Sequence, residues 1–239
     1  MTKSTLKAQR EEASGASADS LRVAEIFYSI QGESTWIGAP CTFIRLTGCP
    51  LRCVWCDTAY AFHGGERTRL DGILDRVRDI GCPLVEITGG EPLIHRNTFR
   101  LAAQLISEGI TVLVETSGSE DISGLDQEVH VIMDLKCPGS GESSRNRWDN
   151  LAHLDRGDEV KFVLSDRTDY EWSREVIRQR SLDTRVRDGT LGAVLMTPVW
   201  GSGGPTLEEL ANWILEDRLP VRLQTQLHKH IWEPTRRGV

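Results

Sequence analysis

The chain has 239 residues, 39% hydrophobic and 26% charged, which suits one good-sized globular domain. Its 28 Lys+Arg against 35 Asp+Glu give a net charge of -7, which argues against a non-specific nucleic-acid binder, and no apolar run approaches the ~20 residues that span a bilayer. The opening MTKSTLKAQREEASGASADS lacks the apolar core of a secretory signal, so residues 1–20 read as a flexible tail, residues 21–239 as a single domain, and the protein as cytoplasmic with neither nucleic acid nor membrane as a partner.

Taken in chain order, strand-like runs at 23–30 and 41–47 flank a Gly/Pro-bounded loop, QGESTWIGAP. Leu70, Ile73, Leu74, Val77 and Ile80 recur at helical spacing and predict a helix over 67–80. A strand at 84–88, a helix at 97–108 and strands at 110–116, 129–135 and 159–165 follow. The chain continues with a helix at 168–180, a strand at 192–197, a helix at 206–217 and a strand at 221–226. Strands alternating with helices of about ten residues imply parallel β-α units, hence an α/β fold. An incomplete α/β barrel of about six parallel strands is the favoured architecture, and a doubly wound open sheet is the alternative. Polar segments follow the strand ends: GCPLRCVWCDT, GGEP, TSGS, KCPGSG, PVWGSGG and QLHKH. In parallel α/β folds these ends share one face, where a site is built.

Six cysteines stand at 41, 49, 53, 56, 82 and 137. In a reduced compartment a tight cluster points to metal or redox chemistry rather than disulfides. Cys41, Cys82 and Cys137 are scattered and read as small buried apolar residues. Cys49, Cys53 and Cys56 lie on one loop with C-x3-C-x2-C spacing, enough to ligate three irons of a cubane and leave the fourth open. The competing reading is zinc, which needs a fourth ligand; His63 is the only nearby candidate.

Cys49-x3-Cys53-x2-Cys56, with Trp55 before the last cysteine, and GGEP at Gly89–Pro92 resemble the radical S-adenosylmethionine (SAM) superfamily. That resemblance implies a 4Fe-4S cluster on the three cysteines. SAM binds the vacant iron and is cleaved to a 5′-deoxyadenosyl radical that abstracts a substrate hydrogen. Residues 23–232 are further similar to the 7-carboxy-7-deazaguanine synthase family, through EIFYSIQGESTWIGAPCTFIRLTGCPLRCVWCDT, ITGGEPL, VETSGS, MDLKCPGSG and LQTQLHK. Members contract the ring of 6-carboxy-5,6,7,8-tetrahydropterin to 7-carboxy-7-deazaguanine, a queuosine precursor, with loss of ammonia.

This second resemblance implies roles residue by residue. Ile30, Gln31 and Gly32 match the substrate loop, where an amide and backbone groups suit a pterin edge, and Glu33 suits its N–H groups; an ordinary loop acid is the alternative for Glu33. Arg45 matches the arginine that holds the substrate carboxylate, a task for a guanidinium fork, against an ordinary surface arginine. Thr58 matches a Mg²⁺ ligand, with a helix N-cap as the alternative for Asp57 or Thr58. Thr88 and His228 match substrate contacts, with a structural histidine as the alternative for His228. Trp55, Gly90, Glu91 and Ser117 match SAM contacts. So do the positions of Lys136, Cys137, Pro138, Thr197 and Trp200, although KCPGSG and TPVW depart from the family's usual segments. Ser34 stands where many members carry glycine, and the chain runs past LHKHIW to Val239, where some members use their last residue on the substrate. The resemblance also implies a homodimer and an external electron donor of the flavodoxin or ferredoxin type. A glycyl-radical activase and a non-catalytic metal-binding module built on the three cysteines and His63 are the competing functions. His230 is the weaker second histidine, and His63, His95, His130 and His153 read as bystanders.

Overall fold

Helical phase decides which surface of the sheet is covered. In the computed structural model, which describes residues 19–239, helices α1 (Leu70–Ile80), α2 (Arg96–Ser107), α3 (Arg167–Gln179) and α5 (Leu207–Asp217) each present one apolar stripe. Ile73, Leu101, Ile177 and Leu210 from these stripes join Ile44, Val85, Val112, Met133, Phe162 and Met196 from the strands in one large core. Each such side chain contributes roughly 1.5–3 kcal/mol on full burial. Asp166 caps α3 by accepting from the Asp169 N–H, and Thr206 with Glu209 forms a capping box on α5. The short helices α4 (Leu182–Asp188) and α6 (His228–Ile231) carry no apolar period long enough to be read from sequence.

The nine strands are β1 (Ser20–Ile30), β2 (Pro40–Leu46), β3 (Glu66–Arg69), β4 (Leu84–Gly89), β5 (Thr111–Thr116), β6 (His130–Leu135), β7 (Glu159–Leu164), β8 (Ala193–Pro198) and β9 (Arg222–Leu223). They form one sheet in the order β3-β1-β2-β4-β5-β6-β7-β8-β9, with β2 and β4–β9 parallel and β3 and β9 left as open edges. β1 runs antiparallel to both β2 and β3. The helix expected from residue 67 starts at Leu70, because residues 66–69 instead pair with Ser20–Val23. The strand expected over 221–226 stops at Leu223. Beyond it, the Gln224 side chain turns to the Ser34 backbone, accepting from its N–H at 2.9 Å and donating to its carbonyl at 2.7 Å. Of the tail expected at residues 1–20, residues 1–18 lie outside the described residues, and Ser20 already belongs to β1.

Among the described residues, no long helix covers the other face of the sheet. A small apolar cluster of Cys41, Phe43, Leu84, Leu113 and Ile132 closes its lower end, with Phe27 stacked on Phe43 at 4.9 Å. The β1–β2 loop crosses this face: Thr35 donates to Glu159 on β7, and Ser34 meets Gln224 beyond β9. A sheet coated with helices outside and bridged inside from one flank to the other is the incomplete barrel, not the doubly wound alternative. No helix among the described residues is long and apolar enough to cross a membrane.

Candidate active site

Strand alternation sends one residue of each pair to the inner face. Above the small apolar cluster these residues are Arg45, Glu86, Thr88, Glu115, Asp134, Lys161 and Thr197. Strands covered on both sides are ordinarily apolar throughout, so ionisable groups in one phase of four neighbouring strands mark a pocket. Of these ionisable groups, sequence reasoning named only Arg45. The signal was available: LVEIT, VLVET and VIMDL each carry a single charged residue in that phase, and EVKFVL carries two.

Lys161 is the hub. Its side chain is 5% exposed, and Nζ lies 2.8 Å from Glu33 Oε2, in contact with Glu115 Oε1 and 3.8 Å from Asp134 Oδ2. Asp134 Oδ2 also accepts from Lys136 Nζ at 2.8 Å. Burial opposes the ionised form of Glu33, but the Lys161 ammonium holds its carboxyl below the usual range. Gln226 donates to the other Glu33 oxygen at 2.8 Å.

The β1–β2 loop is built around Gln31, which is 4% exposed. Its Oε1 accepts from the Glu33 N–H at 3.0 Å, and its Nε2 donates to Glu86. The amide expected to read a substrate thus has one donor and one acceptor engaged inside the protein, where they set the loop. Gly32 packs against His228: a Cβ there would lie 2.1 Å from Nδ1, so any side chain would displace the imidazole. Burial lowers the pKa of His228 against the pull of Glu33. Ile30 ends β1 immediately before this loop.

Arg45 is paired rather than an ordinary surface arginine. Glu25 accepts from its Nε at 2.9 Å and from the Tyr60 hydroxyl at 2.7 Å. No acceptor among the described residues takes the terminal guanidinium nitrogens, which leaves the fork open for a carboxylate. Thr88 Oγ1 donates to Glu115 at 3.3 Å, across neighbouring strands.

The three-cysteine loop leaves the end of β2 and is held from two sides. Arg52 stacks 4.2 Å from the Phe62 ring and donates to the carbonyls of Cys49 at 2.8 Å and Leu51 at 2.6 Å. On the other side the Val54 N–H donates to the Ser140 carbonyl at 3.1 Å and the Arg52 N–H to Glu142 at 2.6 Å. The GGEP backbone lies directly beneath: Glu91 N–H donates to Gly48 O at 2.8 Å, and a Cβ on Gly90 would fall 2.2 Å from that same carbonyl oxygen. Gly90→Ala is expected to cost about 1–3 kcal/mol through overpacking and to lift the loop from its seat. Iron bound per chain after reconstitution checks this, and wild-type occupancy in the variant would sink it.

Cys49, Cys53 and Cys56 are half-buried free thiols. Burial raises all three, Cys53 to about 11, and the Lys136 ammonium opposes the rise at each. Three soft donors on one loop, a cation facing all of them and a close backbone floor fit a cubane that takes one thiolate at each of three irons. They do not fit zinc. Among the described residues no three His, Cys, Asp or Glu side chains are placed to hold a single metal ion, and His63 is exposed in a surface hollow with Arg22 and Phe62.

Glu91 is fully buried and takes four hydrogen bonds from the chain: Leu93 N–H at 3.0 Å, Thr116 Oγ1 at 2.8 Å, Ser117 N–H at 2.7 Å and Ser117 Oγ at 2.5 Å. It ties the end of β4 to the end of β5, and burial still holds its carboxyl above the usual range. The hydroxyl of Ser117 is engaged by the same carboxylate. Lys136 has its backbone clamped by Asn146, with bonds of 2.8 and 2.9 Å. Cys137 turns its thiol into the outer core, 3.4 Å from Ser173 Oγ, as a buried apolar residue does, so only its backbone remains toward the site. Pro138 is exposed, and Thr197 is buried with its hydroxyl unpartnered. Half-buried Trp55 lies between the second and third cysteines. Trp200 is partly exposed and edge-on to His230 at 4.7 Å.

Thr58 stands at the N-cap of the turn Ala59–Phe62, but its hydroxyl makes no capping bond and donates to Asp57 at 3.0 Å. Asp57 accepts from Lys229 at 2.5 Å and from Gln226 at 3.3 Å. Although burial opposes it, the Lys229 ammonium holds the Asp57 carboxyl well below the usual range. Of the remaining histidines, His95 and His130 bond the carbonyls of Thr47 at 2.7 Å and Gly157 at 3.1 Å. His230 meets Thr225 Oγ1 at 3.0 Å.

The sequence pattern of the radical SAM superfamily matches residues 43–137. The chain is similar to 7-carboxy-7-deazaguanine synthase of Koribacter versatilis, at 43% identity over 92% of this chain and 100% of that one. It is also similar to the enzyme of the same name from Chlorobaculum tepidum, at 43% identity over 92% of this chain and 97% of that one. The crystal structure of QueE from Escherichia coli superposes with a TM-score of 0.71 at 22% identity, covering 91% of this chain and 99% of that one, and so shares its fold. A cysteine loop at the mouth of a charged, half-wrapped pocket is thus found in a chain alike from end to end to such enzymes: it belongs to the 7-carboxy-7-deazaguanine synthase family of the radical SAM superfamily.

Proposed function

We infer that this chain carries out the reaction of its family, converting 6-carboxy-5,6,7,8-tetrahydropterin to 7-carboxy-7-deazaguanine with release of ammonia. A 4Fe-4S cluster with SAM supplies, when bound, the hydrogen-abstracting radical. Cys49, Cys53 and Cys56 hold the cluster. Gly90, Trp55, Ser117, Lys136, Thr197, Trp200 and the backbone at Cys137 and Pro138 frame SAM, with Glu91 acting as the tie that fixes two of these segments. The observation that carries the substrate reading is Arg45: its open guanidinium fork lies on the inner face four residues before Cys49, so a substrate carboxylate held there lies beside the radical source.

Around that anchor, Glu33, Thr88 and the Ile30–Gly32 backbone meet the pterin edge, and neutral His228 closes the side opposite the strands. Excluding water is the task of the crossing loop and of the 224–231 segment bonded to it. Thr58 offers a hard oxygen to Mg²⁺, with Asp57 beside it. A flavodoxin- or ferredoxin-type donor, a homodimer of single-domain subunits and a cytoplasmic setting complete the proposal. The test is anaerobic turnover of reconstituted protein with SAM, reductant and the carboxytetrahydropterin. The expected result is the deazaguanine product with one ammonia released; SAM cleavage without that product overturns the activity and spares the superfamily.

A further inference from the structure

The carboxylates of the inner face can be sorted by what neutralises them. Glu25 faces Arg45, Glu33 and Glu115 share Lys161, and Asp134 faces Lys136. Glu159 has no cation but receives both the N–H and the hydroxyl of Thr35. Glu86 has neither arrangement. It is 3% exposed, makes no ion pair among the described residues, and takes a single neutral donor, Gln31 Nε2, on its Oε2.

The titratable groups around Glu86 make its ionised form worse still. Glu33 approaches from the β1–β2 loop and Glu115 from β5, while Cys41 and Arg45 come from β2. Arg45 already serves Glu25, and Lys161, one strand beyond β6, already serves three other acids. A buried carboxylate with one neutral partner and two like charges beside it takes up a proton instead of staying charged. Burial, then Glu115 and Glu33, raise this group well above the usual carboxylate range. Its second oxygen, Oε1, has no hydrogen-bond partner among the described residues, and the side chain lies in the inner-face phase of β4.

We propose that Glu86 works as a neutral acid: one oxygen fixes the Gln31 amide, and through it the Glu33 N–H, while its hydroxyl is offered to an acceptor atom of the substrate. Ionised acids can only accept, so Glu33, Glu115 and Asp134 give no donor to a carbonyl oxygen or an unprotonated ring nitrogen beside them. Glu86 supplies it without adding a charge. The substrate class rests on the pterin reading above, whereas the protonation state of Glu86 does not.

Three forms of the reconstituted holoenzyme test this: wild type, Glu86→Gln and Glu86→Leu. Glutamine keeps one acceptor and one donor in the same shape; leucine keeps neither. The infrared difference spectrum of wild type minus Glu86→Gln at neutral pH is expected to show the carbonyl stretch of an un-ionised carboxylic acid. Glu86→Leu is expected to raise KM about tenfold, as loss of a buried hydrogen bond does, with a smaller effect on kcat, and Glu86→Gln to recover most of that loss. Raising the pH should weaken wild-type binding as Glu86 ionises, a limb that Glu86→Gln lacks. No acid band, or a glutamine variant as impaired as the leucine one, overturns the proposal. If the wild type makes no product from the carboxytetrahydropterin, the function assignment fails instead, and the infrared band still decides the state of Glu86.

Discussion

Lys161→Met is expected to lower stability by about 3–5 kcal/mol, because it removes the buried ammonium that, among the described residues, alone pairs with Glu33 and Glu115. For a chain of this size that corresponds to a melting temperature lower by roughly 10 °C. The effect depends on pH with a definite sign. In the wild type Glu33 titrates below its ordinary value, so its share of stability is full above the unfolded carboxylate range and is lost as pH falls through its lowered folded value. In the variant the cation is gone and burial governs Glu33, so its orphaned carboxyl titrates high and the folded state loses stability as pH rises. The gap between the two proteins is therefore expected to be widest near pH 8 and to narrow toward pH 5. Thermal melts at both values check this; a gap independent of pH would show that Lys161 does not neutralise the cluster.

Alanine at Cys49, Cys53 or Cys56 is expected to reduce bound iron and sulfide to background, and SAM cleavage with it, while leaving the fold intact. The three thiols are only half-buried and make no contact with the large apolar cores, so their loss removes little packing. Cys82→Ala is the matched control: that thiol packs in the lower apolar cluster, its nearest polar neighbour the Pro40 carbonyl at 3.4 Å, and the variant is expected to keep the full cluster. Iron analysis and the reduced-state magnetic resonance spectrum separate the two cases. A single-cysteine variant that still binds a complete cluster would overturn the three-thiolate assignment.

How much of this was legible in the sequence depended on whether the cause was local. The cysteine loop was, since three thiols within eight residues have few uses, and GGEP was, since its glycines are needed where backbone crosses backbone. The four long helices followed from their apolar period. Strand β3 did not, because Glu66–Arg69 has no alternation and becomes a strand only by pairing with the start of β1. The choice between barrel and open sheet turned on which faces the helices cover, a matter of handedness and not of period. Lys161 and its acids were visible as charges inside strands, but their partners lie 46 and 128 residues away, beyond any spacing rule. The bond from Gln31 to Glu86 was not legible either, because the two stand 55 residues apart. Cys137 shows a different limit: a residue can sit in a site segment by sequence and still point its side chain into the core.

The ties between the 224–231 segment and the opening of the fold carry a consequence for how the protein is made. Gln224 holds Ser34, the Leu227 N–H donates to the Gly32 carbonyl at 2.9 Å, and Lys229 reaches Asp57 beside the last cysteine. On a ribosome the three cysteines emerge early, whereas this wall of the pocket arrives only after every strand of the sheet has been synthesised. The pocket wall is therefore completed only when the end of the chain meets its beginning, through contacts of long sequence separation.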